Sequence, residues 1–225
     1  MRRALAIGEA SYGDAHPTVA IRLNNLALLL QATNRLGEAE PLMRRALAID
    51  EASYGAVHPS VAIRLNNLAV LLQSTNRLGE AEPLMRRALA IDEASYGDAH
   101  PNVAIRLNNL AALLQDTNRL GEAEPLMRRA LAIDEASYGE AHPNVAIRLN
   151  NLGILLWQTS RAGEAEPLMR RMATIFLRFE RDTGHKHPDG DTCIGYFAQL
   201  LAAMGRDAAS VDAALSAARR EAGLE

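Results

Sequence analysis

Four histidines, His16, His58, His100 and His142, recur at intervals of 42 residues, and each is followed by a proline. Histidine is the commonest metal-binding side chain, so a repeated histidine first raises metal chemistry. Zinc requires its ligand nitrogens about 2 Å from one ion. Packed helices lie about 8–10 Å apart, so equivalent positions in successive repeats stand about twice that distance apart and cannot converge. These histidines are therefore read as fixing the turn before each proline. A second group, His185, His187, Asp189, Asp191 and Cys193, gathers ligand types in a segment loosened by Gly184 and Gly190. Its spacing does not demand convergence, and it reads as a polar loop. No nucleophile elbow, phosphate-cradling glycine loop or HExxH motif occurs. No enzymatic activity, catalytic residue, metal or cofactor is expected.

The remaining chemistry is that of amides. Asn24, Asn66, Asn108 and Asn150 recur with the same period, each followed by a second asparagine. An asparagine side chain is both acceptor and donor, so a column of them can pair with the N–H and C=O groups of an extended peptide. The alternative is that the paired asparagines bond only neighbouring helices or solvent. Of each pair, the first is assigned to the peptide. Arg22, Arg64, Arg106 and Arg148 stand two residues earlier and either edge the same surface or pair with acidic residues of a neighbouring helix.

Such columns need a repeating scaffold. Residues 43–84 and 85–126 differ at five of 42 positions, and residues 85–126 and 127–168 differ at seven. A fixed period of this size specifies a solenoid, in which each unit buries its apolar face against its neighbours. Within one unit Pro59 opens a helix to about Thr75, with Val61, Leu65, Leu68 and Leu72 on one face. A second helix runs from about Leu78 to Tyr96, with Ala81, Met85, Ala88 and Asp92 inward and Pro83 near its start. Gly97 is placed to end it in a left-handed conformation.

The pattern His-Pro-x-Val-Ala-x-x-Leu-Asn-Asn-Leu-Ala, then Glu-Ala-Glu-Pro-Leu, then Arg-Ala-Leu-Ala-Ile, best seen from His58 to Ile91, resembles the 42-residue tetratricopeptide repeats of kinesin light chains and their bacterial relatives. The resemblance spans residues 1–183. It implies an all-α, right-handed superhelix of antiparallel helix pairs, a single array over residues 1–225. Residues 1–16 form an orphan second helix, and residues 17–58, 59–100, 101–142 and 143–187 form repeats. Residues 188–225 form a degenerate capping repeat, reached through about three inserted residues, with Tyr196, Phe197, Leu200 and Leu201 in its first helix. The implied function is scaffolding: an extended peptide segment of another protein bound in a concave groove. On the first helices the groove stripe lies opposite Val19, Leu23, Leu26 and Leu30. It comprises Asn24, Leu28, Asn66, Val70, Asn108, Ala112, Asp116, Asn150, Ile154 and Trp157, with Ile21, Ile63, Ile105 and Ile147 beside them. Along this stripe the repeats differ at the positions of Leu28, Val70, Ala112 and Ile154 and of Ala32, Ser74, Asp116 and Gln158. Trp157, the only tryptophan, stands where the other repeats carry glutamine. It either anchors a ligand side chain or packs against Tyr196 or Phe197.

A second functional class is structural: end-to-end self-association through the N-terminal helix, whose Leu5 and Ile7 seek a partner, without a peptide ligand. Net charge is −3 with no basic stripe, which excludes nucleic acid as an expected partner. No apolar run approaches the length of a membrane span. Cys193 is the single cysteine, compatible with a reducing, cytoplasmic setting.

Overall fold

Each His–Pro step starts a helix. In a computed structural model, which describes residues 1–224, Pro17, Pro59, Pro101 and Pro143 are the first residues of four 16-residue helices. Proline loses nothing there, because the first N–H groups of a helix have no internal acceptor. The histidine before each proline is the N-cap. His58 Nδ1 accepts from the Ser60 N–H at 3.1 Å, and His16, His100 and His142 repeat the bond. The tyrosine four residues earlier stacks on each imidazole, with ring centroids 4.5 Å apart for Tyr54 and His58. The histidines thus fix the turns between helices.

Among the described residues the helices are α1 (Arg2–Tyr12), α2 (Pro17–Ala32), α3 (Leu36–Tyr54), α4 (Pro59–Ser74), α5 (Leu78–Tyr96), α6 (Pro101–Asp116), α7 (Leu120–Tyr138), α8 (Pro143–Gln158), α9 (Ala162–Thr183), α10 (Gly190–Ala203) and α11 (Ala208–Ala222), with no strand. None is long and apolar enough to cross a membrane. The chain folds as two compact units, Met1–Thr117 and Asn118–Glu225. In the first, α1 to α6 pack consecutively, and α4 also touches α6; in the second, α8 packs on α7, α9 and α10, and α9 on α10 and α11.

The first helices end in a Schellman motif, made by asparagine in α2 and α4 and by Ser160 in α8. Asn76 takes φ +58°, its N–H bonds Gln73 O at 2.9 Å, and Arg77 N–H reaches back to Leu72 O at 2.9 Å. Asparagine tolerates this left-handed conformation better than most residues. The second helices α3, α5 and α7 end differently from the expectation, whereas α9 ends in the left-handed Gly184. Gly97 has φ +84° but ψ +161°, an extended, glycine-only conformation rather than the left-handed helical one. Glycine is still required, but the chain leaves the helix straight towards the next His–Pro.

The core repeats with the sequence. Val61, Ala62 and Leu65 of α4 pack with Ala88 and Ile91 of α5, while Val19, Ala20 and Leu23 meet Ala46 and Ile49 one unit earlier. Met85, Ala81, Ala88 and Asp92 are all buried, as the inward stripe requires. In the second unit α9 runs three residues longer than the other second helices, with Ile175, Phe176 and Leu177 buried. Register returns at His187, whose Nδ1 accepts from Asp189 N–H at 3.2 Å and whose ring packs against Phe176. Pro188 does not open a helix as its counterparts do; α10 begins at Gly190.

Candidate functional site

The asparagine columns are linked between repeats. Asn67 Nδ2 donates to Asn24 Oδ1 at 3.0 Å, and Asn109 Nδ2 donates to Asn66 Oδ1 at 2.9 Å. The second asparagine of one repeat thus reaches the first asparagine of the repeat before it. Asn24, Asn66 and Asn150 are buried, whereas Asn25 is exposed and Asn108 is partly exposed. For Asn24 and Asn66 the acceptor oxygen is engaged by the neighbouring helix, the second of the two roles open to it in the sequence. The recurring interval of 43 between these partners was present in the sequence. Nothing there distinguished it from two parallel columns.

The apolar members of the stripe reach solvent. Leu28 is 41% exposed, and Ile21, Ile63 and Ile105 are exposed at 42–50%. Val70, Ala112 and Ile154 are partly buried beside them, while Val19, Leu23, Leu26 and Leu30 on the opposite face are buried. Asp116 is exposed at the end of α6 and accepts from Gln73 Nε2 at 2.6 Å, one first helix to the next.

Trp157 is half-buried and meets the degenerate repeat. With Ile154, Gln158, Tyr196 and Gln199 it lines an open recess of about 320 Å³ between α8 and α10. Phe197, one residue from Tyr196, is instead fully buried. A larger recess of about 520 Å³ lies on the second-helix side of the same unit, around Arg170, Arg171 and Arg178. Arg170 and Arg171 are paired there with Glu166 and Glu135, and Arg178 donates to the Glu221 carbonyl.

The recurring arginines pair rather than edge the stripe. Arg64 bonds Asp50, Arg106 bonds Asp92, and Arg148 bonds Asp134, all through Nε. Pairing with acidic residues of a second helix was one of the two readings open in the sequence, and Arg64, Arg106 and Arg148 follow it.

In the ligand-type loop, His187 accepts from the Asp189 N–H just before α10, Lys186 holds Asp191 at 3.0 Å, and Cys193 is buried in α10. Burial, with the Asp189 charge nearby, pushes the Cys193 thiol up to about 11. Among the described residues no three His, Cys, Asp or Glu side chains gather as a metal-holding group.

The tetratricopeptide repeat family matches this chain over residues 1–52, 23–94, 60–136 and 102–178. Among solved structures, the nearly identical TPR-like repeats of a Podosopora anserina kinesin light chain-type protein align at 22% identity with a TM-score of 0.73, over 92% of this chain and 96% of that one. BtubC (BKLC) from P. vanneervenii aligns at 23% identity with a TM-score of 0.77, over 98% of this chain and 85% of that one. At these identities the likeness is one of fold: all-α helix pairs in a solenoid. No curated protein sequence matches the chain.

Proposed function

Because this chain belongs to the tetratricopeptide repeat family, a family of interaction scaffolds, we propose that it binds an extended peptide segment of another protein along the exposed stripe of its first helices. The carrying observation is the repetition of an exposed isoleucine at one position, Ile21 in α2, Ile63 in α4 and Ile105 in α6, with Leu28 exposed beside it in α2. Scattered surface hydrophobics are ordinary, but a patterned row on one face marks a contact surface. The asparagine rungs hold that row in register. Val70, Ala112, Ile154 and Trp157 vary the pockets from repeat to repeat, while Asn108 and Asp116 offer polar contacts between them. Binding needs no cofactor, and the natural setting is the cytoplasm.

The test is selection of peptides from a displayed random library on the full chain, followed by calorimetric affinity for the best of them. Ile63→Arg and Ile105→Arg should each weaken binding at least about tenfold, the effect of losing one buried apolar contact at an interface. Unchanged affinity in both variants would remove the stripe from the reading.

One observation favours self-association as a second reading. Leu29 is 47% exposed, whereas its counterparts Leu71, Leu113 and Leu155 are wholly buried. Ile7 is exposed on the adjacent helix, and recesses beside Leu5, Leu26, Leu30 and Leu42 lie open. A second copy could cover this end. Sedimentation equilibrium decides: a concentration-dependent mass abolished by Leu29→Lys supports it, and a constant monomer mass rejects it.

A further inference from the structure

The asparagine rungs stop at Asn150. Counting from the His–Pro of each repeat, the residue equivalent to Asn67 and Asn109 in the last repeat is Tyr196. Asn150 Oδ1, equivalent to the acceptors of Asn24 and Asn66, is buried without a hydrogen-bond partner among the described residues. Its amide nitrogen makes only a 3.5 Å contact to the adjacent Asn151. An unsatisfied buried acceptor is destabilising. The same register puts Gln199 at the position of Leu28, while Trp157 and Gln158 replace Gln73 and Ser74.

These four departures converge. Trp157, Gln158, Tyr196 and Gln199, with Ile154, are the residues that line the recess of about 320 Å³ between α8 and α10. Ile154 lies one turn along α8 from Asn150. At this one junction the chain gives up a bond that it makes at other junctions, and it places two aromatic walls there. Local rules broken at one place, while their neighbours keep them, are the usual mark of a functional site.

We propose that this recess is the specificity pocket of the peptide surface and takes an aromatic side chain, sandwiched between Trp157 and Tyr196. This rests on the reading of the first-helix stripe as a peptide site. The shape of the opening selects the occupant. Offset and edge-to-face aromatic pairs form at ring separations of about 4.5–7 Å, and a ring between two aromatic walls gains both. Ile154, Trp157 and Tyr196 give the lining most of its apolar surface. A charged side chain would be desolvated there without a counter-ion, and alanine would leave the recess unfilled.

The probes are N-acetylphenylalaninamide and N-acetylalaninamide, titrated against the whole chain while following the emission of Trp157. The phenylalanine compound should change that emission saturably, and the alanine compound should not. Tyr196→Asn returns the repeat residue and with it a donor for Asn150. It should fold with a raised melting temperature and lose at least tenfold in affinity for the phenylalanine compound. Trp157→Gln, followed by ligand-observed NMR, should lose binding as well and guards against an uninformative Tyr196 variant. Absence of a saturable, phenylalanine-dependent change in the native chain overturns the pocket, as does undiminished binding in both folded variants. A selected peptide that needs Ile63 and Ile105 but ignores Tyr196→Asn would refute the pocket and leave the stripe. Binding of the phenylalanine compound in the recess, with no peptide selected, would do the reverse.

Discussion

Arg64 Nε donates to Asp50 Oδ2 at 2.9 Å, joining the second helix of one repeat to the first helix of the next, with the aspartate side chain 1% exposed. Arg106 and Asp92 repeat the bond at 2.8 Å, as do Arg148 and Asp134. In the dry junction the attraction is weakly screened, but so is the cost of leaving either charge alone. Asp92→Ala should therefore cost about 3–5 kcal/mol, measured by urea unfolding. An exposed pair such as Arg35–Glu38 should cost under about 1 kcal/mol when broken. Equal losses at both places would mean that burial is not what sets the strength of the junction.

Arg22 is the exception. The position equivalent to Asp50 is Gly8, so the Arg22 Nη1 bonds the Ala4 carbonyl at 2.8 Å and its Nε is buried without a partner. Gly8→Asp should supply the missing carboxylate and remove a helix-interior glycine, together raising stability by about 1–2 kcal/mol. A Cβ there meets Arg22 Cδ at 2.8 Å, but that arm is flexible and can retreat. Thermal unfolding of Gly8→Asp beside Gly8→Ala separates the two contributions. If alanine raises the midpoint as much as aspartate, the pair has not formed.

Leu29 and Leu71 are the same residue in the same helix position with opposite burial, 47% against none. Leu71→Ala should cost about 2–5 kcal/mol because it empties a filled core site. Leu29→Ala should cost less than about 1 kcal/mol in a monomer, as little transfer energy is lost. Chemical denaturation at low protein concentration checks both. A Leu29 loss that grows with protein concentration would instead report a covered surface.

Cys193 should be unreactive. Its thiol is pushed up to about 11, chiefly by burial, and only the thiolate is a nucleophile. Iodoacetamide at pH 8 should leave it unmodified in the folded chain and alkylate it in urea, as read by mass spectrometry. Because the folded value is raised, the associated stability is fully present below the ordinary thiol range and is lost as pH climbs towards 11. Rapid labelling of the native chain at pH 8 would place the thiol outside the core.

Most helix boundaries were readable because proline, glycine and asparagine act locally. Pro59 and Leu78 start helices where the pattern put them, since the features that decide a helix start lie within four residues of it. The inward stripe of Ala81, Met85 and Ala88 followed from helical period alone. What stayed hidden was pairing across repeats. Helical wheels place Asn66 on a face but do not say whether a neighbour's amide arrives there, and Asn109 does. The same held for Arg64, which could edge the stripe or pair with a second helix until packing set it on Asp50. Trp157 and Tyr196 stood out as departures from the repeat, yet the recess between them depends on the angle at which α10 meets α8, which no local signal encodes.

The interrepeat bonds have a direction. Each 42-residue unit offers an acceptor, the first asparagine, and a donor, the second asparagine, as well as one aspartate and one arginine, and the junctions from Asn24 to Asn109 and from Asp50 to Arg106 use the same set. A gene that lost or duplicated the segment encoding residues 59–100 would therefore leave His58 preceding a His100-type helix start, with Asp50 facing Arg106 and Asn24 facing Asn109. Array length can thus change by recombination between near-identical segments without any new contact having to evolve. At the non-repeating last junction, at Asn150, such an exchange would be visible to selection.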